Sequence, residues 1–299
     1  MKIAITGATG MIGSSLAELA LENGYEVIAV IRPDSPRRGN LPDSTGLKII
    51  ECGISELKEL EGKEKCDMFF HLGWEKTSVS GRDDVYVQEK NIRYTLDAVA
   101  LAHSWGASVF VGAGSQAEYG PAGVRLKGDT PANPESGYGI AKYAAGKLSG
   151  LMCASLGMRF CWARILSVYG EKDAEHTLVM YLIRTISAGE VPELTECGQI
   201  WDYIYSEDAA AALLAIGRYG KNGKIYPVGS GKCRPMKDFV SDIRDAVNPK
   251  AEIKFGAKEY YPHQAMFLCA DISELTEDTG FVPKYGFKEG IARTVSRMP

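Results

Sequence analysis

The sequence is short of the features that would place it in several broad classes. Its seven cysteines (Cys52, Cys66, Cys153, Cys161, Cys197, Cys233 and Cys269) include no CxxC pair. That predicts neither a zinc site nor a disulfide framework, and suits free buried thiols in a reducing cytoplasm. No metal site is expected. A net charge of −4 provides no basic footprint for nucleic acid. No apolar run approaches a membrane span. The apolar opening residues belong to a strand followed by glycines and not to a signal peptide. What remains is an ordinary globular composition, 45% hydrophobic and 24% charged, in a chain long enough for one large domain or two unequal ones.

What is abundant is glycine, and its placement is informative. Lys2 to Thr6 is a β-branched run that reads as a strand. From Met11 the apolar spacing turns helical, through Ile12, Leu16, Leu19 and Ala20. Gly7, Gly10 and Gly13 lie between the two. In that context the first glycine permits the tight turn, the second the close approach of a pyrophosphate, and the third the packing of helix on sheet. The helix N-terminus, with its free N–H groups, then faces the phosphates. Thr9, Met11 and Ile12 complete the expected cofactor loop.

Strands and helices alternate beyond it. Strands are predicted at 26–31, 47–52, 68–72, 108–112 and 159–165, with helices at about 86–104 and 139–156. This pattern implies an α/β fold, a doubly wound parallel sheet with helices on both faces. After Tyr169 the pattern loosens, with helices predicted at 177–187, 207–219, 235–247 and 287–297. The expected division is a dinucleotide-binding domain over 1–168, to which 199–228 returns. A smaller α+β substrate-binding part over 169–198 and 229–299 completes the chain.

In such folds an acidic residue at the end of the second strand suits NAD, and an arginine suits the extra phosphate of NADP. Here the position holds Arg32, with Arg37 and Arg38 beyond it, so NADP(H) is expected in preference to NAD(H).

Two stretches carry the chemistry. Ser115 stands at the predicted carboxyl end of a strand, within Gly112–Gly120. Tyr138 and Lys142 are four apart at the start of a helix and so share a face. A lysine cation beside a phenol lowers its pKa toward the working range for proton transfer.

With these residues in place, the sequence resembles the extended short-chain dehydrogenase/reductase family of the NAD-dependent epimerase/dehydratase type, over nearly the whole chain. The family's GxxGxxG matches Gly7, Gly10 and Gly13. Its active-site Ser/Thr matches Ser115, and its YxxxK matches Tyr138 and Lys142 after Pro134 and Ser136. Its HLAA appears as His71-Leu72-Gly73-Trp74, its helical asparagine as Asn91, and its RDYIHVxD segment as Trp201 to Asp208. The resemblance implies a Rossmann fold, hydride transfer between a nicotinamide and a sugar carbon, a nucleotide-sugar substrate and a homodimer. It implies cofactor roles for Gly53, Ile54, Leu72, Gly73, Asn91, Tyr138 and Lys142, and a cleft-lining His71. It implies substrate roles for Trp74, Ser115, Gln116, Ser167, Trp201 and Tyr261.

The departures sharpen the expectation. Dehydratases carry Asp and Glu after the active-site threonine, where this chain has Gln116 and Ala117, so water elimination is rejected. Glu118 falls one position too late and reads as a loop carboxylate. The family's arginine in the RDY segment is Trp201, a second falls at Tyr261, and the asparagine of its NxYG is Ser167. Lys172, His176 and Arg184 are available as substitute cations. The reading is an NADPH-dependent reductase of a keto group on a nucleotide-activated deoxysugar. The alternatives are an NAD-dependent nucleotide-sugar 4-epimerase and a non-catalytic dinucleotide sensor.

Overall fold

A computed structural model describes residues 1–77, 81–260 and 264–298. The expected alternation is present: β1 (Lys2–Thr6), α1 (Met11–Glu22), β2 (Glu26–Ile31), β3 (Leu47–Glu51), β4 (Met68–His71), α2 (Val85–Ser104), β5 (Val109–Ser115), α3 (Gly137–Ser155) and β6 (Arg159–Ile165). Then follow β7 (Ser167–Tyr169), α4 (Leu178–Ser187), β8 (Ile200–Trp201), β9 (Tyr203–Tyr205), α5 (Ser206–Tyr219), β10 (Lys224–Val228), β11 (Arg234–Pro235), α6 (Met236–Val247), α7 (Ser273–Thr279) and α8 (Phe287–Arg297).

Seven strands form one parallel sheet in the order β10-β6-β5-β4-β1-β2-β3. The order reverses between β1 and β4, which opens a crevice at their carboxyl ends, the place where such sheets take ligands. Period-two alternation divides β1 between the two faces. Ile3 and Ile5 join the core under α1 and α5, while Ala4 joins the core under α2 and α3. A third core lies outside the sheet, where Tyr169, Tyr203, Tyr205, Phe239 and Phe287 pack with the apolar faces of α4, α6 and α8. In the loosely patterned region the chain adds two short pairings, β7 with β9 and β8 with β11.

Two differences from the sequence reading matter for the site. β5 runs to Ser115, beyond the predicted end at 112. The cause is Trp162 on β6, whose indole lies where Cβ atoms at Gly112 and Gly114 would stand, at 2.1 and 2.3 Å. These glycines let the strand continue over the ring. The second difference is a disulfide between Cys233 and Cys269, whose Cα atoms are 5.6 Å apart. Spacing could not reveal a pair 36 residues apart. Buried Asp202 brings the two loops together by accepting from the N–H groups of Ser230, Gly231 and Ala270. The other five cysteines are free and buried, as expected.

Candidate active site

The glycine turn has the geometry of a phosphate cradle. Gly7 takes φ +69°, and a Cβ there would lie 2.8 Å from Gly73 N and from the Leu72 carbonyl carbon. A Cβ on Gly13 would come within 2.3 Å of Gly7 O. A Cβ on Gly10 would meet only Gly7 O, at 3.4 Å, so its outer side is open. Helix α1 then starts with no side-chain cap and no acidic residue in its first turn. Its leading N–H groups are therefore available to an anion. These features fit a dinucleotide pyrophosphate.

The exit of β4 closes one side of the crevice. Gly73 donates its N–H to Thr6 Oγ1 at 3.3 Å, and a Cβ on it would lie 2.9 Å from Ile54 Cγ2. Gly7, Gly53, Ile54, Leu72 and Gly73 thus form one patch. Thr9 faces the loop after β2, with its hydroxyl 3.1 Å from Ser35 Oγ and its carbonyl accepting from Asn40. Arg32 and Arg37 are exposed there, while Arg38 is ion-paired with Glu51.

Asn91, expected to serve the cofactor, is committed elsewhere. It is buried, accepts from Glu75 N at 2.9 Å and donates to the carbonyls of Glu75 and Val87. It latches the loop after β4 onto α2, a structural role. His71 is likewise enclosed. Its Nδ1 lies 2.8 Å from Thr6 Oγ1, its ring stacks on Phe110, and burial lowers its pKa to about 3. It packs as a neutral ring in the sheet and does not line the cleft.

The chemical groups converge at the ends of β5 and α3. Ser136 caps α3 by accepting from Gly139 N at 3.1 Å. Gly139 is required because a Cβ would lie 2.4 Å from Ala117 O. This contact presses the first turn of α3, which carries Tyr138, onto the turn after Ser115. Of the groups around the phenol, Ser115 does most to favour its ionised form.

The electrostatics differ from the sequence expectation. Burial pushes the Tyr138 phenol above its ordinary range, and this outweighs the lowering by Ser115 and then by the Arg82 guanidinium, whose Cζ is 5.1 Å from the ring centroid. The lowering comes from Ser115 and Arg82 and not from Lys142. Lys142 is itself buried and is desolvated to about 7. Its Nζ donates to Ala113 O at 2.6 Å and lies 3.8 Å above the Trp74 ring. Trp74 also meets Tyr138 edge-on at 5.9 Å and donates to Gln88 Oε1 at 2.9 Å. Trp74 therefore walls one side of Tyr138 and Lys142.

On the substrate side the structure joins two of the altered positions. Trp201 Nε1 donates to Ser167 Oγ at 2.8 Å. The two residues singled out as departures from the expected motifs thus satisfy each other. Gln116 is half-buried in the turn after Ser115. Tyr261 lies outside the described residues. Of the substitute cations, Lys172 is bound to Glu18 at 2.5 Å and to Asn40 O, and Arg184 pairs with Glu175 at the surface. His176 is exposed.

Sequence reasoning missed several residues. Arg82 approaches Tyr138 across a loop, and its carbonyl accepts from Tyr138 N at 2.7 Å. Gln88 is buried and orients Trp74 while donating to the carbonyls of Lys76 and Gly81. Glu118 lies in the turn after β5 but is not a solvated carboxylate. It is 1% exposed and ion-paired to Arg164. The glycines at 112, 114 and 146, all cleared for Trp162, were the available signal for that cluster.

Comparison with known proteins places the whole chain. A putative UDP-glucose 4-epimerase of Methanocaldococcus jannaschii is 26% identical over 307 residues, covering 99% of this chain and 98% of the relative. A CDP-abequose synthase of Salmonella typhimurium is 24% identical, again covering 99% and 98%. The crystal structure of the Thermus thermophilus UDP-glucose 4-epimerase in complex with NAD superposes with a TM-score of 0.85 at 22% identity, over 99% of this chain and 98% of that one. The family model described as "NAD dependent epimerase/dehydratase family" matches residues 3–229. The chain belongs to that family, whose members are nicotinamide-dependent enzymes of the extended short-chain dehydrogenase/reductase type.

Proposed function

We propose that this protein is a nucleotide-sugar 4-epimerase that keeps its nicotinamide dinucleotide bound through the cycle. The observation that carries the reading is the pairing of a complete Ser115–Tyr138–Lys142 set with a turn that offers no carboxylate for elimination. Gln116 and Ala117 follow the serine, and Glu118 is turned into the protein against Arg164. Epimerases among the relatives support the choice. The sequence-based preference for a reductase gives way to this alternative.

The cradle of Gly7, Gly10 and Gly13 would hold the pyrophosphate, with Ile54 and Gly73 toward the adenosine end and Tyr138 and Lys142 toward the nicotinamide. The dinucleotide, when bound, supplies a site that takes hydride from a sugar carbon and returns it. Tyr138, entering the cycle as the phenolate, accepts the proton of the sugar hydroxyl, becomes the neutral phenol and gives the proton back when hydride returns. Ser115 shares that proton with the phenol and the sugar oxygen. Trp74 excludes water from one side. The segments 169–198 and 229–299, built on α4, α6 and α8, take the sugar nucleotide.

One observation favours a second reading. Arg32 is exposed just past Ile31, the last residue of β2, in the position where NAD-binding folds carry an acidic residue, which suits NADPH, and a CDP-abequose synthase is among the relatives. A substrate deuterated at C4 separates the two. An epimerase converts it without added cofactor and returns the label to C4 of the product. A reductase leaves it unchanged, and instead oxidises added NADPH mole for mole with a keto-sugar nucleotide. Label lost to solvent, with neither behaviour, would sink both.

A further inference from the structure

Glu118 takes no part in the chemistry above, yet its carboxylate is fully engaged behind it. Oε1 accepts from the backbone N–H of Ser115 at 2.8 Å and from Trp162 Nε1 at 2.9 Å. Oε2 accepts from Arg164 Nε at 2.7 Å and again from Trp162 at 3.2 Å. We propose that Glu118 is a positioning residue for Ser115: its buried carboxylate grips the serine's own N–H and so fixes the direction in which the hydroxyl meets Tyr138. This rests on the reading of Ser115 and Tyr138 as the groups that share the substrate proton.

Three observations support the assignment. First, the grip is reciprocal. Ser115 Oγ accepts from Ala117 N at 3.2 Å while Glu118 accepts from Ser115 N, which closes a capping box over the three-residue turn. A hydroxyl has one donor and two acceptor sites. Ala117 takes one acceptor, which leaves the donor and one lone pair for the phenol and a substrate oxygen. Second, the charge is costly where it stands. The side chains of Glu118 and Arg164 are 1% and 3% exposed, and apolar residues of similar volume commonly serve a core at least as well. Third, the surroundings are cleared for this carboxylate. A Cβ on Gly114 would lie 2.4 Å from Glu118 Oε1, and one on Gly146 would lie 2.7 Å from the Trp162 ring.

The charged and titratable neighbours come from each packed element. Arg164 faces Glu118 from β6, and Tyr119 follows it in the turn and stacks on Arg164 at 4.3 Å. Tyr143 and Lys147 of α3 line the same cavity as Glu118 and Arg164. On the site side the negative charge of Glu118 acts on Tyr138 and Lys142, favouring the protonated form of each.

The test compares Glu118→Ala with Glu118→Gln, which keeps one acceptor oxygen for Ser115 N–H but removes the charge. In Glu118→Ala, kcat falls about 10²-fold, the scale expected for a misplaced catalytic group, while KM and dinucleotide affinity stay within about twofold. Glu118→Gln restores about tenfold of that loss and moves the pH profile of kcat toward lower pH, because the phenol ionises more easily without the carboxylate. Should Glu118→Ala fail to fold, Glu118→Gln with Arg164→Met removes both charges and leaves the acceptor, and is expected to turn over within about tenfold of the parent. A kcat for Glu118→Ala within about twofold of the parent overturns the proposal. So does an equal loss in Glu118→Ala and Glu118→Gln with an unmoved pH profile. Should no sugar nucleotide be turned over by the parent protein, the functional reading fails but the grip is still measurable. Amide exchange at Ser115 is then expected to be about tenfold faster in Glu118→Ala and near the parent rate in Glu118→Gln. Unchanged exchange in both overturns the proposal.

Discussion

At the start of the chain, Gly7 and Gly13 are fixed by contacts that leave no room for a side chain, and Gly10 keeps an open outer edge. Along β7 to β9 the positions that family members fill with asparagine and arginine are held by Ser167 and Trp201, bonded to each other. The first region is made of backbone, the second of side chains. A cradle built from N–H groups and absent Cβ atoms can change little without losing its ligand. A surface built from side chains can exchange one mutually satisfied pair for another. On the proposed reading, the cofactor side is therefore the constrained one and the substrate side the one free to vary.

That contrast can be broken by mutation. The largest effect is expected for Tyr138→Phe, which removes the proton carrier and leaves the cradle untouched. Turnover should fall about 10³-fold with dinucleotide affinity within about twofold. A parallel loss of affinity would mean that the two regions are not separable. Next comes Gly13→Ala, whose Cβ would press on Gly7 O at 2.3 Å. Calorimetry should show dinucleotide binding weakened about 10²-fold, from a backbone shift costing about 1–3 kcal/mol. Sugar-nucleotide binding that survives in this variant would sharpen the division.

A third prediction concerns pH. The folded His71 has its pKa lowered to about 3 from an ordinary 6.5. The unfolded chain therefore binds this proton first as pH falls. The neutral ring contributes its full stability above about pH 6.5, and this erodes progressively toward pH 3, by up to about 3 kcal/mol near pH 4. Urea midpoints between pH 7 and 4 should fall less steeply in His71→Gln than in the parent. Equal slopes would show that the ring is not held neutral. The smallest effect is expected on the substrate side. Trp201→Phe loses the bond to Ser167 at a cost of about 1 kcal/mol and should raise KM for the sugar nucleotide without moving dinucleotide affinity. A change in dinucleotide affinity would break the comparison from the other end.

The parts legible in the sequence were those with local signatures. The glycine turn, the alternation of elements and the Ser115, Tyr138 and Lys142 set are written in short spacings; the alternation is present in the fold, and Ser115 ends β5 while Tyr138 and Lys142 stand in the first turns of α3. What spacing could not show is burial and long-range partnership. Lys142 four residues from Tyr138 suggests a cation beside a phenol, but desolvation dominates both groups and the ammonium turns to Ala113 O and Trp74. Glu118 stands in a turn, as its spacing indicates, but spacing shows neither its burial nor its partner Arg164, 46 residues away on the neighbouring strand. Asn91 matched a family position, but only the fold shows both faces of its amide committed to the backbone. The Cys233–Cys269 link was invisible for the same reason.

That link has a practical corollary. The stretch between the two sulfurs is a covalent ring whose ends are both moored to Asp202. One proteolytic nick inside the ring leaves the molecule in a single piece on a non-reducing gel and in two after thiol treatment.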